Sequence, residues 1–372
     1  EAEAKLSGKP GLCFVTRGPG ATNASGGLHV AMQDSTPMIL LIGQVARKDL
    51  DREAFQEIDY RRMFSGMTKW VAQIDDADRI PEYINRAFAV ATAGRPGPVV
   101  LVLPEDMLAE QSNAADAKAW QAVRTAPATA DVERCAKLLG AARRPLILIG
   151  GSGWSDATRL QLQAFSEQSG LGVANSFRCQ DYFDHEHPHY VGDVGIGINP
   201  ALKQQINDAD LLLVIGARLG EMTSSGFSLF DIPCPRQTLI HVHAGAEELG
   251  HIYQPTLAIN ASSASFVEAL SALSVEKTGL NNCVRHARPT STGTSQSRSP
   301  EIYNSPTSSS KCAGLTRMMR FCATVPATFP AGCIASTATA VTAANWHRPA
   351  VPWAMVYRPR WPQNCVTPNA RW

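Results

Sequence analysis

Two kinds of hydrophobic pattern alternate along most of this chain. Continuous apolar runs at Gly11–Val15, Met38–Ile42 and Val99–Leu103 predict short strands covered on both faces, and Thr68–Gln73 predicts a weaker one. Pro81–Ala93 carries Ile84, Ala87 and Val90 at helical spacing, and another helical pattern begins near Ala24. The same alternation returns further on, with helices over Asp131–Gly140 and Ser155–Gln168 and strands over Pro145–Ile149, Leu171–Ala174, Leu211–Ile215 and Thr238–Val242. Buried strands alternating with helices predict an α/β protein of two doubly wound parallel-sheet domains. The polar, alanine-rich stretch Pro104–Thr129 reads as the linker between them, with a short helix. Glu1–Leu6 reads as the end of a helix already under way, so the first domain is expected to lack its start.

Between the first strand and the helix near Ala24 lies Thr16–Asn23, T-R-G-P-G-A-T-N. A strand, a glycine turn and a helix start, in that order, present backbone N–H groups and a positive helix end to a bound group. Gly18 and Gly20 permit close approaches that a side chain forbids. By itself such a turn is equally a tight connection between two elements. Gly150-Gly151-Ser152-Gly153 and Gly216-Ala217-Arg218 end two strands of the second block and carry the same pair of readings.

Charge sharpens the picture. The 372 residues sum to +1, but residues 279–372 hold ten Lys/Arg against one acid, Glu301. That leaves 24 basic and 32 acidic residues in 1–278, a net of −8, which gives no reason to expect nucleic acid as a partner. No run approaches the roughly 18 apolar residues of a membrane helix, and no secretory signal opens the chain, so a cytoplasmic protein away from membranes is expected. Cys13, Cys135, Cys179 and Cys234 are scattered singly through the body, and no Cys/His spacing predicts a metal site.

An ordered set of blocks adds a resemblance. After the turn come Gln33-Asp34-Ser35-Thr36-Pro37, the strand Met38–Gly43, Gln44-Val45, Ala54-Phe55-Gln56-Glu57, Lys69, and Gly94-Arg95-Pro96-Gly97-Pro98-Val99. This set resembles the pyrimidine-binding domain of thiamine-diphosphate enzymes, in the acetolactate synthase-like branch, over residues 1–107. Residues 130–274 resemble the central domain of the same enzymes, with 108–129 as linker. The resemblance implies an enzyme that uses thiamine diphosphate and Mg2+ to decarboxylate a 2-oxo acid and pass the product to a second carbonyl or a proton. It implies a homo-oligomer whose sites form between two subunits. Phe55 as an apolar wall, Gln56 as an amide donor and Lys69 as a nearby cation are its catalytic candidates. Gly18, Pro19, Gly20, Asn23, Ser35, Arg95, Gly150, Gly151, Gly216 and Arg218 are its cofactor-binding candidates. Without the resemblance, Phe55 would read as a core aromatic, Gln56 as a surface amide and Lys69 as a solvated cation.

Several departures shape the expectation. The family's His-Glu pair, whose glutamate activates the aminopyrimidine, has no counterpart in this sequence. His243 stands where FAD-binding members place an aspartate, and Glu105 where they place a lysine at the substrate entrance. Arg95 does match an FAD-contacting arginine, which leaves FAD open. From Val275 the composition turns to Ser, Thr, Pro and Ala. Read one frame over, with each codon's third base joined to the next two, Asn345–Val366 permits L-A-P-T-S-G-x-M-G-Y-G-L-P-A-A-V-A-A-K-L-R. Trp346-His347, Trp353-Ala354, Met355-Val356 and Trp361-Pro362 force small residues where that text needs them. The text resembles the start of the diphosphate-binding domain, so 275–372 is expected to be a frameshifted, disordered remnant with no metal ligands. The sequence thus leaves two readings: an inactive portion of a thiamine-diphosphate decarboxylase or carboligase, or a non-catalytic domain pair with a scaffold or nucleotide-binding role.

Overall fold

A computed structural model describes residues 1–273, which form two parallel-sheet α/β domains. The first contains α1 (Ala2–Ser7), β1 (Gly11–Val15), α2 (Pro19–Gln33), β2 (Met38–Gln44), α3 (Tyr60–Phe64), β3 (Trp70–Gln73), α4 (Ile80–Thr92) and β4 (Pro98–Pro104). Its strands run in the order β1-β2-β4-β3, all parallel. The central strands β2 and β4 are the most continuously apolar runs in this half, because both their faces are covered. α2 brings Ala21 and Leu28 onto Leu40, Ile42, Val100 and Val102 of one face. α4 brings Ala87 and Ala91 onto Ile39, Leu41, Val99 and Leu101 of the other. β1 is an edge strand and differs, with Leu12 56% and Phe14 71% exposed.

The second domain contains α5 (Thr129–Ala141), β5 (Pro145–Ile149), α6 (Asp156–Ser169), β6 (Gly172–Ser176), β7 (Tyr190–Val194), α7 (Pro200–Asp208), β8 (Leu211–Ile215), β9 (Thr238–His243), β10 (Leu257–Asn260) and α8 (Ser263–Ser271). Its six parallel strands run β10-β9-β8-β5-β6-β7. The chain therefore builds outward from β5 through β6 to β7, then returns to β8 on the other side of β5. The gap between the carboxyl ends of β5 and β8 is the topological switch point, where open α/β sheets take their ligands. α5, α6 and α8 cover one face with Leu139, Phe165 and Phe266 among others. α7 covers the other with Leu202 and Ile206, joined by Phe230 and Tyr253.

Three expectations change. α2 begins at Pro19 rather than near Ala24: Gly18 is its cap residue and Pro19 opens its first turn, where a missing N–H costs nothing. The linker's short helix reduces to one 3-10 turn, Met107–Ala109. Beyond it the linker is fastened by polar contacts instead. Asp78 accepts from Ser112 Oγ and the Asn113 amide, Trp120 packs on Phe88, and the Thr125 carbonyl accepts from the Ser262 amide. β7 and β10 join the strands read from the sequence. The expectation of a frameshifted remnant over 275–372 lies outside the described residues.

Candidate functional site

The glycine turn sits at the carboxyl end of β1 and is built around an unusual backbone. Gly18 has φ +60° and ψ −111°, a combination that a residue with Cβ does not sustain. Its N–H donates to Tyr60 Oη at 2.8 Å. A Cβ added to Gly18 would lie 2.7 Å from Gln56 Cβ, so Gln56 is packed directly on the turn. Pro19, Gly20 and Asn23 belong to the first turns of α2, with Asn23 exposed. Tyr60 is buried, and burial raises its hydroxyl above the ordinary tyrosine range, keeping it neutral as it accepts from Gly18.

Phe55 and Gln56 arrive on a loop between β2 and α3. Phe55 is 79% exposed, so it is no core aromatic. Gln56 holds φ +67°. The loop's end is pinned to β2 by the buried Gln44, whose Nε2 donates to the Ile58 carbonyl and whose Oε1 accepts from the Val45 amide. Glu105, expected to reverse the charge of the entrance, is bound by Arg17 of the turn at 2.7 Å. The reversal is thus answered within the chain.

Lys69 does not join this group. It precedes β3, whereas the turn follows β1, and in a parallel sheet those are opposite ends. Its amide donates to the Pro98 carbonyl at the start of β4 and its Nζ to the Ala93 carbonyl at 2.5 Å. Burial holds its amine below the usual lysine range, and Arg95 adds to that effect while Glu247 opposes it. Ser35 and Arg95, which precede β2 and β4, share this amino end.

There the second domain meets them. Arg95 donates from Nε to Ser35 Oγ at 3.0 Å, from Nη2 to the Met32 carbonyl at 2.6 Å and from Nη1 to Glu248 at 3.1 Å. Arg218 donates from Nε to the same Glu248 oxygen at 3.0 Å and from Nη1 to the Gln33 carbonyl. Two cations therefore share one carboxylate across the domain boundary, and Asp34 makes a second crossing to Arg178. Burial pushes the Glu248 carboxyl up, but Arg218 and Arg95 outweigh it and hold the group below the ordinary carboxylate range. Glu248→Ala should cost about 2–4 kcal/mol, because it strands two half-buried guanidinium groups beside each other. The contribution of a depressed carboxylate is complete above its unfolded value, about 4.3. It is lost as pH falls through the lower folded value. Denaturant melts of wild type and Glu248→Gln between pH 3 and 7 should converge at the acid end; parallel curves would refute the tie.

At the switch point, Gly150, Gly151 and Gly216 come together as the sequence suggested, but their space is used by the chain. A Cβ on Gly151 would lie 1.9 Å from the Gly216 carbonyl oxygen, one on Gly216 2.5 Å from the Gly150 oxygen, and one on Gly150 1.8 Å from Ser176 Oγ. The Gly150 carbonyl accepts from Trp154 Nε1 and the Gly151 carbonyl from Tyr182 Oη, and those two rings stack 5.4 Å apart. His243 is buried, with Nδ1 accepting from the Gly245 amide, and burial lowers its basicity. Neither its position nor its chemistry offers the carboxylate that a ribose diol prefers. At position 243 the crevice thus lacks the acceptor that the adenosine half of FAD would use.

Residues 1–63 match the thiamine pyrophosphate enzyme N-terminal TPP binding domain, and residues 132–270 match the thiamine pyrophosphate enzyme central domain. The chain belongs to the thiamine pyrophosphate enzyme family. Acetolactate synthases are among the curated proteins that it matches. The probable acetolactate synthase large subunit of Methanocaldococcus jannaschii is 32% identical over 257 residues, covering 66% of this chain and 42% of the relative. Acetolactate synthase 1, chloroplastic, of Zea mays is 30% identical over 280 residues, covering 73% and 42%. The acetolactate synthase isozyme 2 large subunit of Escherichia coli K12 is 28% identical over 270 residues, covering 72% and 48%. The chain thus spans less than half the length of these relatives. Among the described residues, no helix is long and apolar enough to cross a membrane and no cluster of three His, Cys, Asp or Glu groups is arranged for a metal.

Sequence reasoning gave no role to Tyr60, Gln44 or Glu57, although Gln44 and Glu57 lie within the blocks that carry the resemblance. Each acts by reaching a backbone group that only the folded loop brings near. Gln44 at least ends a strand that is otherwise wholly apolar, the one hint that its amide has a buried task.

Proposed function

We propose that the chain supplies the pyrimidine-side wall and the central scaffold of a thiamine-diphosphate-dependent 2-oxo acid decarboxylase or carboligase of the acetolactate synthase type. The packing of Gln56 on Gly18 carries this reading, because it brings an amide and the exposed Phe55 ring to the carboxyl end of β1 within the matched TPP binding domain. Thiamine diphosphate, when bound with Mg2+, supplies the carbanion chemistry of such enzymes. Residues of this chain would orient and enclose. Gln56 is suited to donate to an oxyanion or ring nitrogen, and Phe55 to exclude water on one side. The exposure of Phe55 supports a site completed by a second copy of the chain. Lys69, Ser35, Arg95 and Arg218 support a structural role at the other end of the sheet, where their donors are already engaged across the domain boundary.

Taken alone, residues 1–372 are proposed to be catalytically silent and free of flavin. The carboxylates held beside the turn are committed, Glu105 to Arg17 and Glu57 to two backbone amides. Neither is left to activate an aminopyrimidine. Calorimetric titration of thiamine diphosphate with Mg2+ into the full chain should give a constant weaker than about 1 µM, a free energy smaller than about 8 kcal/mol. Added FAD should keep the fluorescence of the free flavin. Micromolar or tighter binding of the first would overturn the silent reading, and quenching of the second the flavin-free scaffold.

A further inference from the structure

The loop that carries Phe55 and Gln56 has a feature that neither residue explains. Within six positions it holds three residues other than glycine in the left-handed region: Asp51 at φ +63°, Glu53 at +56° and Gln56 at +67°. Such residues are uncommon singly, and a cluster persists only where neighbouring contacts over-determine it. The loop holds no regular helix or strand to do this. Most of its side chains, Asp51, Arg52, Glu53 and Phe55, face solvent.

One side chain closes it. Glu57 Oε1 accepts from the Asp51 amide at 2.7 Å, and Glu57 Oε2 accepts from the Ala54 amide at 2.9 Å. The Glu57 amide returns a bond to the Ala54 carbonyl at 2.9 Å. Both carboxylate oxygens are thus spent on backbone N–H groups, in charge-assisted bonds stronger than those between neutral groups, and both amides lie in the strained segment. The ring formed encloses Phe55 and Gln56 between its anchored points, Ala54 and Glu57. On the far side, Gln44 and Tyr60 fix the loop to β2 and to Gly18.

We infer that Glu57 is a positioning residue, whose carboxylate folds the 51–57 loop so that Phe55 stands out into solvent and Gln56 lies on Gly18. The inference rests on the proposed reading of Phe55 and Gln56 as site residues. Its physical content, a loop held by one carboxylate, stands apart from that reading.

Amide hydrogen exchange and limited trypsin digestion of the full 372-residue chain test it. Glu57→Ala should speed exchange at Asp51 and Ala54 at least 10-fold and open cleavage after Arg52, with the melting temperature of the body unchanged within about 2 °C. Glu57→Gln keeps one carbonyl oxygen of the same reach, and should restore protection at one of the two amides but not both. This partial rescue is a readout that general loss of packing would not produce. Phe55→Ala should leave exchange at both amides as in wild type. Unchanged exchange in Glu57→Ala, or a fall in melting temperature that accounts for the faster exchange in both Glu57 variants, would overturn the inference. A failure of the reading of Gln56 as a site residue shows in turnover and leaves these exchange results standing.

Discussion

Gly151→Ala is expected to abolish the cooperative folding of the central domain. Gly151 holds φ +74°, where any Cβ is strained, and that Cβ would sit 1.9 Å from the carbonyl oxygen and 2.8 Å from the carbonyl carbon of Gly216. Both obstacles are backbone, so no rotamer change relieves them. Gly216 in turn is fixed at the end of β8 by the hydrogen bond that its N–H donates to the Val242 carbonyl. Moving it means separating β8 from β5 or β9, and β5 and β8 are buried on every residue. Overpacking alone costs about 1–3 kcal/mol, and a left-handed non-glycine residue adds about 1–2. A backbone clash this short puts the total above about 4 kcal/mol, a large share of a domain's 5–15. Gly153→Ala is the control, since Gly153 has φ +81° but open space around its Cβ, and should cost only the backbone strain. Calorimetry of both variants decides it: a Gly151→Ala transition within a few degrees of wild type would show that the two strand-end turns are not in the contact described.

The same pair of turns shows what sequence could and could not tell. Continuous apolar runs mark central strands because a parallel sheet hides both faces, so β2, β4, β5 and β8 were legible from composition alone. β7 and β10 were not. β10 alternates between buried and exposed positions, and β7 is half-buried around Gly192 and Asp193, as edge strands are. Glycines at a strand end announce a tight turn, but not whether the space they free goes to a ligand or to the next turn. At Gly151 it goes to Gly216.

The candidate site was half legible. Its turn and the Phe55-Gln56 block are local, and a residue that follows a strand falls at the ligand-binding end of a parallel sheet. By that rule Lys69, Ser35 and Arg95, each preceding a strand, belong to the other end, where the structure has them. The shared bond to Glu248 could not be read from sequence, since it joins positions 153 residues apart. The contacts of Tyr60 and Glu57 were illegible for a similar reason: their partners are backbone amides, which every residue carries.

The second large effect concerns Gln56. Its side chain is half-buried beside Gly18 and belongs to no core cluster, so little packing depends on its amide. A donor aimed at charge developing in a reaction is worth about 10²-fold in turnover. The most direct test uses a chain in which residues 1–273 are both preceded and followed by the remaining segments of an acetolactate synthase relative, assayed for pyruvate decarboxylation with thiamine diphosphate and Mg2+. The account predicts that this chain turns over, and that Gln56→Ala lowers kcat about 10²-fold while its melting temperature stays within about 2 °C. A variant that melts several degrees lower, yet keeps full turnover per folded molecule, would contradict it and make Gln56 a structural residue.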